Sequence, residues 1–220
     1  MSTTTDAPPE VEADEPEPAS SPARSWWVRA GVLVVAIGFL AGAVGYLLGS
    51  RSEKVPSNAV DVGFLQDMSD HHDQAIQMAL LTYTRTADPT IRGFAQDVLI
   101  FQRYELGQMA VLLADHGAVR PDYDPERLTM QWMDMGRPLA DMNGMATTDD
   151  VNSLGQLTGR GLDEKFLELM SAHHQGGVHM ASYAADHAAD PKVRALADRM
   201  AKYQATEVTE YQQYLQKISS

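Results

Sequence analysis

Four long stretches of the chain place apolar residues at spacings of three and four, at about residues 61–86, 89–115, 161–188 and 191–218, and this spacing predicts amphipathic helices. The second and fourth stretches each open on an Asp-Pro pair, Asp88-Pro89 and Asp190-Pro191, which supplies an N-cap and a proline in the first turn. A different pattern comes earlier. From Ala30 to Gly49, twenty residues run without a charge, enough to span the hydrocarbon of a bilayer. Trp26, Trp27 and Arg29 precede that run, Arg51 and Lys54 follow it, and the Trp pair suits a membrane interface. Ala41-Gly42-Ala43 would also pass for a processing site, so a cleaved signal peptide competes with an anchor. The length of the preceding head, and the continuation of the apolar run past that site, favour the uncleaved anchor. Basic residues flank both ends, so charge does not settle orientation.

The first and third helical stretches are copies. Residues 64–79 (FLQDMSDHHDQAIQMA) realign with residues 166–181 (FLELMSAHHQGGVHMA) at an offset of 102. The register continues without a gap: Asp88-Pro89 meets Asp190-Pro191, Arg92 meets Arg194, Gln102 meets Gln204 and Glu105 meets Glu207. Each copy reads as a helical hairpin, and two hairpins predict an all-α four-helix bundle. The expected layout is a tail at 1–25, an anchor at 26–50, a linker at 51–60 and a bundle at 61–218. Within the bundle, repeat one covers 61–116, a Met-rich connection 117–160 and repeat two 161–218. The connection holds Met130, Met133, Met135, Met142 and Met145, and short helices are expected near 125–135 and 148–157.

Composition narrows the chemistry. The tail is rich in Pro, Ser, Thr, Ala and acids without apolar periodicity, and reads as disordered. A net charge of -13 excludes a nucleic-acid footprint. With no cysteine there is neither a disulfide nor a thiolate ligand, so any soft metal ligand has to be one of the 12 methionines. No nucleophile constellation, phosphate loop or nucleotide motif is present.

On a helix, Met68, His71, His72 and Met78 crowd one side, and the second copy repeats them as Met170, His173, His174 and Met180, adding His179 and His187. The partner helices offer Gln102, Glu105 and Met109, or Gln204, Glu207 and Tyr211. An inward Glu is able to ligate a metal or to accept a proton from an imidazole and fix its tautomer. Di-iron bundles use Glu-x-x-His; this chain has Met-x-x-His twice. A thioether is a poor ligand for ferric iron and a good one for Cu(I), so the donor set favours copper, with silver an accidental guest. Zinc takes imidazoles but gains nothing from thioethers. The bland alternative is packing: Met fills cores, and a His pair on an apolar face is commonly a satisfied polar group. Recurrence of both His and both Met at matched register favours metal. Met142 and Met145 are a weaker candidate for a surface copper-catching arm, and Asp70, Asp73 and Glu168 are expected on solvated faces.

The two His-His signatures, with Asn143-Gly144-Met145-Ala146-Thr147 and Gly161-Leu162-Asp163 before the second, resemble the bacterial domain of unknown function family 305 over about residues 60–216. The resemblance implies a ferritin-like four-helix domain, exported or membrane-anchored, some of whose members bind copper outside the cytoplasm and assist copper tolerance. Carried over by position, the motif residues are Met68, His71, His72, Met78, Glu105 and Met109, then Met170, His173, His174, Met180 and Glu207. The sequence departs from the pattern at Tyr211, where the first half has Met109, and at Asp73-Gln74, so equivalence of the two halves does not follow.

The resulting expectation is a single-pass cell-membrane protein with its C-terminal domain outside the cytoplasm. It would bind copper, Cu(I) in preference with Cu(II) possible, for sequestration or chaperoning and not as an enzyme. Its partners would be the metal ion and the membrane, with no nucleic acid; a protein partner is unknown. A metal-free tethered interaction module, a ferritin-like metal oxidoreductase and a generic acidic cation buffer are the competing readings.

Overall fold

The computed structural model describes residues 22–49 and 55–220. The expected tail up to residue 21 and the start of the expected linker, with Arg51 and Lys54, lie outside the described residues. The chain divides into two units, Met1–Glu53 and Lys54–Ser220. In the first, α1 (Pro22–Gly49) is one unbroken helix, and its segment Trp26–Tyr46 is long and apolar enough to cross a membrane, a property that a signal sequence shares.

The second unit is built on α2 (Ala59–Tyr83), α3 (Pro89–Asp115), α5 (Gly159–His187) and α6 (Pro191–Ser219), with the short α4 (Thr148–Gln156) in the connection. Helices α2 and α3 form one hairpin, α5 and α6 the other, and the hairpins meet through α2 and α5. Local chemistry sets the helix ends. Asn58 and Asp61 form a reciprocal capping box at the start of α2. Asp88 and Asp190 cap α3 and α6 with identical backbone angles, φ -75° and ψ 120°, so the duplication seen in the sequence is repeated in geometry. Arg92 donates to the Thr86 carbonyl and Arg194 to the carbonyls of Ala188 and Ala189, which closes each hairpin turn in the same way.

Two acids related by the repeat clasp the hairpins to each other. Asp61, at the start of α2, accepts from the backbone N–H groups of Ala189 and Asp190 in the α5–α6 turn, at 3.2 and 2.9 Å. Asp163, at the start of α5, accepts from the Thr86 hydroxyl in the α2–α3 turn at 2.6 Å. Burial pushes the Asp163 carboxyl up from its ordinary range, the Thr86 bond opposes that, and nearby Asp88 adds to it. Sequence reasoning missed both clasps, although their spacing of 102 was visible.

The core has two apolar parts. One gathers Phe64, Leu65, Met68, Met109, Met180 and Met200 with Met130, Met133 and Met142 from the connection. The other gathers Met78, Ile91, Phe166, Met170 and Tyr211 with Val151 and Leu154 of α4. Met68 thus shares a cluster with Met180, and Met78 with Met170, as required if α2 and α5 run antiparallel.

The connection departs from expectation in three places. Residues 125–135 form no α-helix, only a 3-10 helix at Gln131–Met133, around which β1 (Leu128–Thr129) pairs antiparallel with β2 (Arg137–Pro138), with Met130 and Asp134 in the left-handed region. Asp67 of α2 imposes this path by accepting from the Met130 N–H and the Trp132 indole, both at 2.7 Å, and from Arg127 at 2.9 Å. Burial raises the Asp67 carboxyl from its ordinary range, against those three bonds. Asp70, expected in solvent, is buried under Arg120 and Arg127; Asp73 and Glu168 are exposed as expected. Met142 is buried and Met145 packs half-buried beside it, so neither forms a surface arm: the apolar cluster offers their side chains more than water does.

Replacing Asp61 by Ala leaves the backbone donors of Asn58, Ala189 and Asp190 without their carboxylate, and should cost ~3 kcal/mol of unfolding free energy. Asp163→Ala removes one hydroxyl bond and should cost ~1 kcal/mol. Urea denaturation of the two variants checks both the losses and their order.

Candidate metal centre

Between the two apolar clusters, along α2 and α5, lie His71, His72, His173 and His174, each with 0% exposure. Their places follow from helical spacing: the pair in each copy sits between a Met three residues before it and another six residues after it. The antiparallel packing of α2 on α5 brings the pairs face to face. The His71 and His173 rings stack with centroids 3.7 Å apart and planes 33° apart, and the His173 and His174 rings are 6.1 Å apart. The outer helices supply the carboxylates. His72 Nε2 lies 2.8 Å from Glu105 Oε2 on α3. His174 Nε2 lies 3.0 Å from Glu207 Oε2 on α6, close enough for an ion pair but off the line of a hydrogen bond.

With the Glu105 carboxylate accepting, His72 donates from Nε2, which leaves Nδ1 as its other ring nitrogen. Among the described residues, that Nδ1 and both ring nitrogens of His71, His173 and His174 have no partner in hydrogen-bond geometry. Seven unpaired buried nitrogens in one layer are far from the usual state of folded proteins, where nearly all buried polar atoms are paired and each orphan costs ~1–3 kcal/mol. Burial holds His71 and His173 well below the ordinary imidazole value, and the neighbouring imidazoles push the same way. Both rings are therefore neutral, the state a metal ligand needs.

The thioethers divide between the two sides. Met68, Met109 and Met180 line one side of the His layer, Met78 and Met170 the other, all with 0% exposure. Tyr211 takes on the second side the place that Met109 holds on the first. It is buried, its ring is 5.6 Å from that of His174, and its hydroxyl has no partner in hydrogen-bond geometry. Burial and then Glu207 drive the Tyr211 phenol far up, so it stays protonated. Of the eleven residues singled out in the sequence, the four His and two Glu meet in this layer and the five Met belong to the two apolar clusters. His179 and His187 do not: both are exposed, His179 against Asn143 and His187 stacked on Tyr183. Among the described residues, no three His, Asp or Glu side chains are placed to hold one ion between them.

A family model described as a domain of unknown function (DUF305) matches residues 61–215. The chain belongs to DUF305. A member from Streptomyces coelicolor, described as secreted, is 34% identical with a TM-score of 0.67, over 73% of this chain and 94% of that one. CopM, solved in Cu(I)-, Cu(II)- and Ag-bound forms, is 24% identical with a TM-score of 0.53 in the Cu(I) form, over 71% of this chain and 96% of that one. A dodecameric thioferritin from Bacteroides fragilis shares the fold at 13% identity and a TM-score of 0.55, over 81% of this chain and 95% of that one, so the DUF305 bundle is ferritin-like. No protein of curated function matches the chain.

What sequence reasoning missed in this DUF305 domain is the cover over the layer. Gly144, at φ +85°, brings backbone against α5, and a Cβ at Gly176 would collide with the Asn143 carbonyl. The Asn143-Gly144 and Gly176-Gly177 pairs were the available signal, but nothing in one dimension says that they meet.

The neutral rings give the metal-free domain a pH dependence of definite sign. His71 and His173 titrate near 6.5 in the unfolded chain and well below that in the fold, so below pH 6.5 the unfolded state binds more protons. Stability is full above pH 6.5 and falls as the pH drops, by up to ~1.4 kcal/mol per unit for each ring. Urea midpoints between pH 7.5 and 5.5 should show this slope, and His71→Gln with His173→Gln should flatten it.

Proposed function

We propose that the chain is a membrane-anchored, extracytoplasmic copper-binding protein that sequesters Cu(I) or hands it on, with no enzymatic turnover. One observation carries this reading: seven imidazole nitrogens, buried between two methionine-rich clusters, without a partner in hydrogen-bond geometry among the described residues. Neutral imidazole and thioether are together a soft donor set, which favours Cu(I) over iron or zinc. His71, His72, His173 and His174 would supply nitrogen, and Met68, Met109 and Met180 sulfur on one side. Met78 and Met170 would supply it on the other. Glu105 and Glu207 would orient His72 and His174 from behind and balance part of the ion's charge.

Two further observations support the assignment. CopM, which has the same fold, is a protein solved with Cu(I), Cu(II) and Ag. Helix α1 is apolar enough to anchor the chain, and the Streptomyces coelicolor relative is described as secreted, in keeping with a domain outside the cytoplasm. Met-x-x-His in place of Glu-x-x-His, in both copies, weighs against a di-iron oxidase, which is built on carboxylate and imidazole ligands.

The test is Cu(I) titration of the full chain in detergent against a chromophoric chelator. The variant with His71, His72, His173 and His174 changed to Ala should lose tight binding while its circular dichroism stays helical. Glu105→Gln should weaken binding by about ten- to a hundredfold. Met68→Leu with Met180→Leu should weaken Cu(I) more than Cu(II). Equal binding by the parent chain and the four-His variant would reject the copper site and leave a metal-free interaction module as the better account.

A further inference from the structure

The proposed site is fully buried, so an ion needs a way in. Resting on the copper reading, we propose that the groove between α3 and α6 is the path by which the ion enters and leaves the histidine layer, with Gln204 as its inner gate.

The groove has a volume of about 280 Å³. Its rim carries Phe101, Tyr104 and Tyr203, which are 59, 65 and 68% exposed although large and aromatic. Glu105 and Glu207 line it as well, so the carboxylates that stand beside His72 and His174 also face the groove. The lining carries three carboxylates, Asp97, Glu105 and Glu207, against one cation, Arg199, so it attracts a cation on balance, and two of those carboxylates stand beside proposed ligands. Two other sides of the layer are covered. Arg120 and Arg127 lock the connection onto α2, and the backbone at Asn143 and Gly144 lies directly on α5.

Gln204 stands between groove and rings. It lines the groove, is 3% exposed, and neither its amide oxygen nor its nitrogen has a hydrogen-bond partner among the described residues. Its Oε1 occupies the space that a Cβ on Gly177 would need, and His71 Cε1 lies 3.2 Å from the same point. The amide therefore reaches the edge of the stacked His71 and His173 rings. It is held there by no hydrogen bond, so rotating it away breaks none. Its carbonyl is a neutral donor, suited to passing an ion without retaining it. In the duplicated register the residue corresponding to Gly177 is Ala75, so this space exists in one repeat only.

The chain has no cysteine, which allows a plug to be attached at one chosen point. Tyr203→Cys, alkylated with a bulky maleimide, would obstruct the rim; Glu168→Cys with the same label, exposed on α5, is the control. Cu(I) is supplied as its acetonitrile complex to the full chain in detergent, and unbound ion is trapped with bicinchoninate at successive times. The plug should slow loading and release together by about tenfold and leave Kd unchanged, because an obstructed path alters both rate constants alike. Gln204→Ala should speed both. Rates equal to those of the labelled control, or slower loading with a matching loss of affinity, would overturn the path. Absent binding in the unlabelled chain would instead remove the copper reading, and the path with it.

Discussion

Four imidazoles are buried in the middle of an apolar four-helix core, and much of the architecture follows from the need to accommodate them. A helical bundle lowers its free energy by excluding water from side chains, and here the excluded layer holds polar rings with unused lone pairs. That is unfavourable for folding taken alone, so other parts of the molecule have to compensate. They do so in three places: methionine-rich clusters above and below the layer, carboxylates behind two of the rings, and acid clasps at the bundle ends. The arrangement makes sense if stability is given up in the empty domain and returned when a ligand binds the native state.

The division of labour among acidic residues shows the same logic. Asp61 and Asp163 hold hairpin turns, with Asp61 also capping α2, and Asp67 and Asp70 hold the connection. Glu105 and Glu207 face the imidazoles of the buried layer. Six carboxylates that look interchangeable as composition have three separate physical roles, decided by which element each one meets.

Much of this was legible in one dimension because it is periodic or repeated. The helix limits followed from three- and four-residue spacing and from the Asp-Pro caps, and the His and Met layer followed from a motif found twice at one offset. The connection was not legible, because its path depends on partners distant in sequence: Asp67 reaches Met130 and Trp132 across more than sixty residues. A segment with Asp124 before Pro125 looks like a helix start, yet its backbone hydrogen bonds run instead to Leu139 and Ala140 in a hairpin. The solvent expectation for Asp70 failed for the same reason, since the arginines that cover it lie on that connection. Which methionines share a cluster was equally hidden, because the antiparallel meeting of α2 and α5 exchanges partners between the copies.

Joining two copies in one polypeptide also changes what mutation can do. In a symmetric pair of identical subunits, every substitution near the twofold axis appears twice, and a change that suits one side is forced on the other. Here each half has its own positions in the chain and mutates independently, and Met109 facing one side while Tyr211 faces the other is a difference that a homodimer could not hold. The ancestral symmetry supplied the geometry, and the covalent link made it possible to abandon that symmetry one residue at a time.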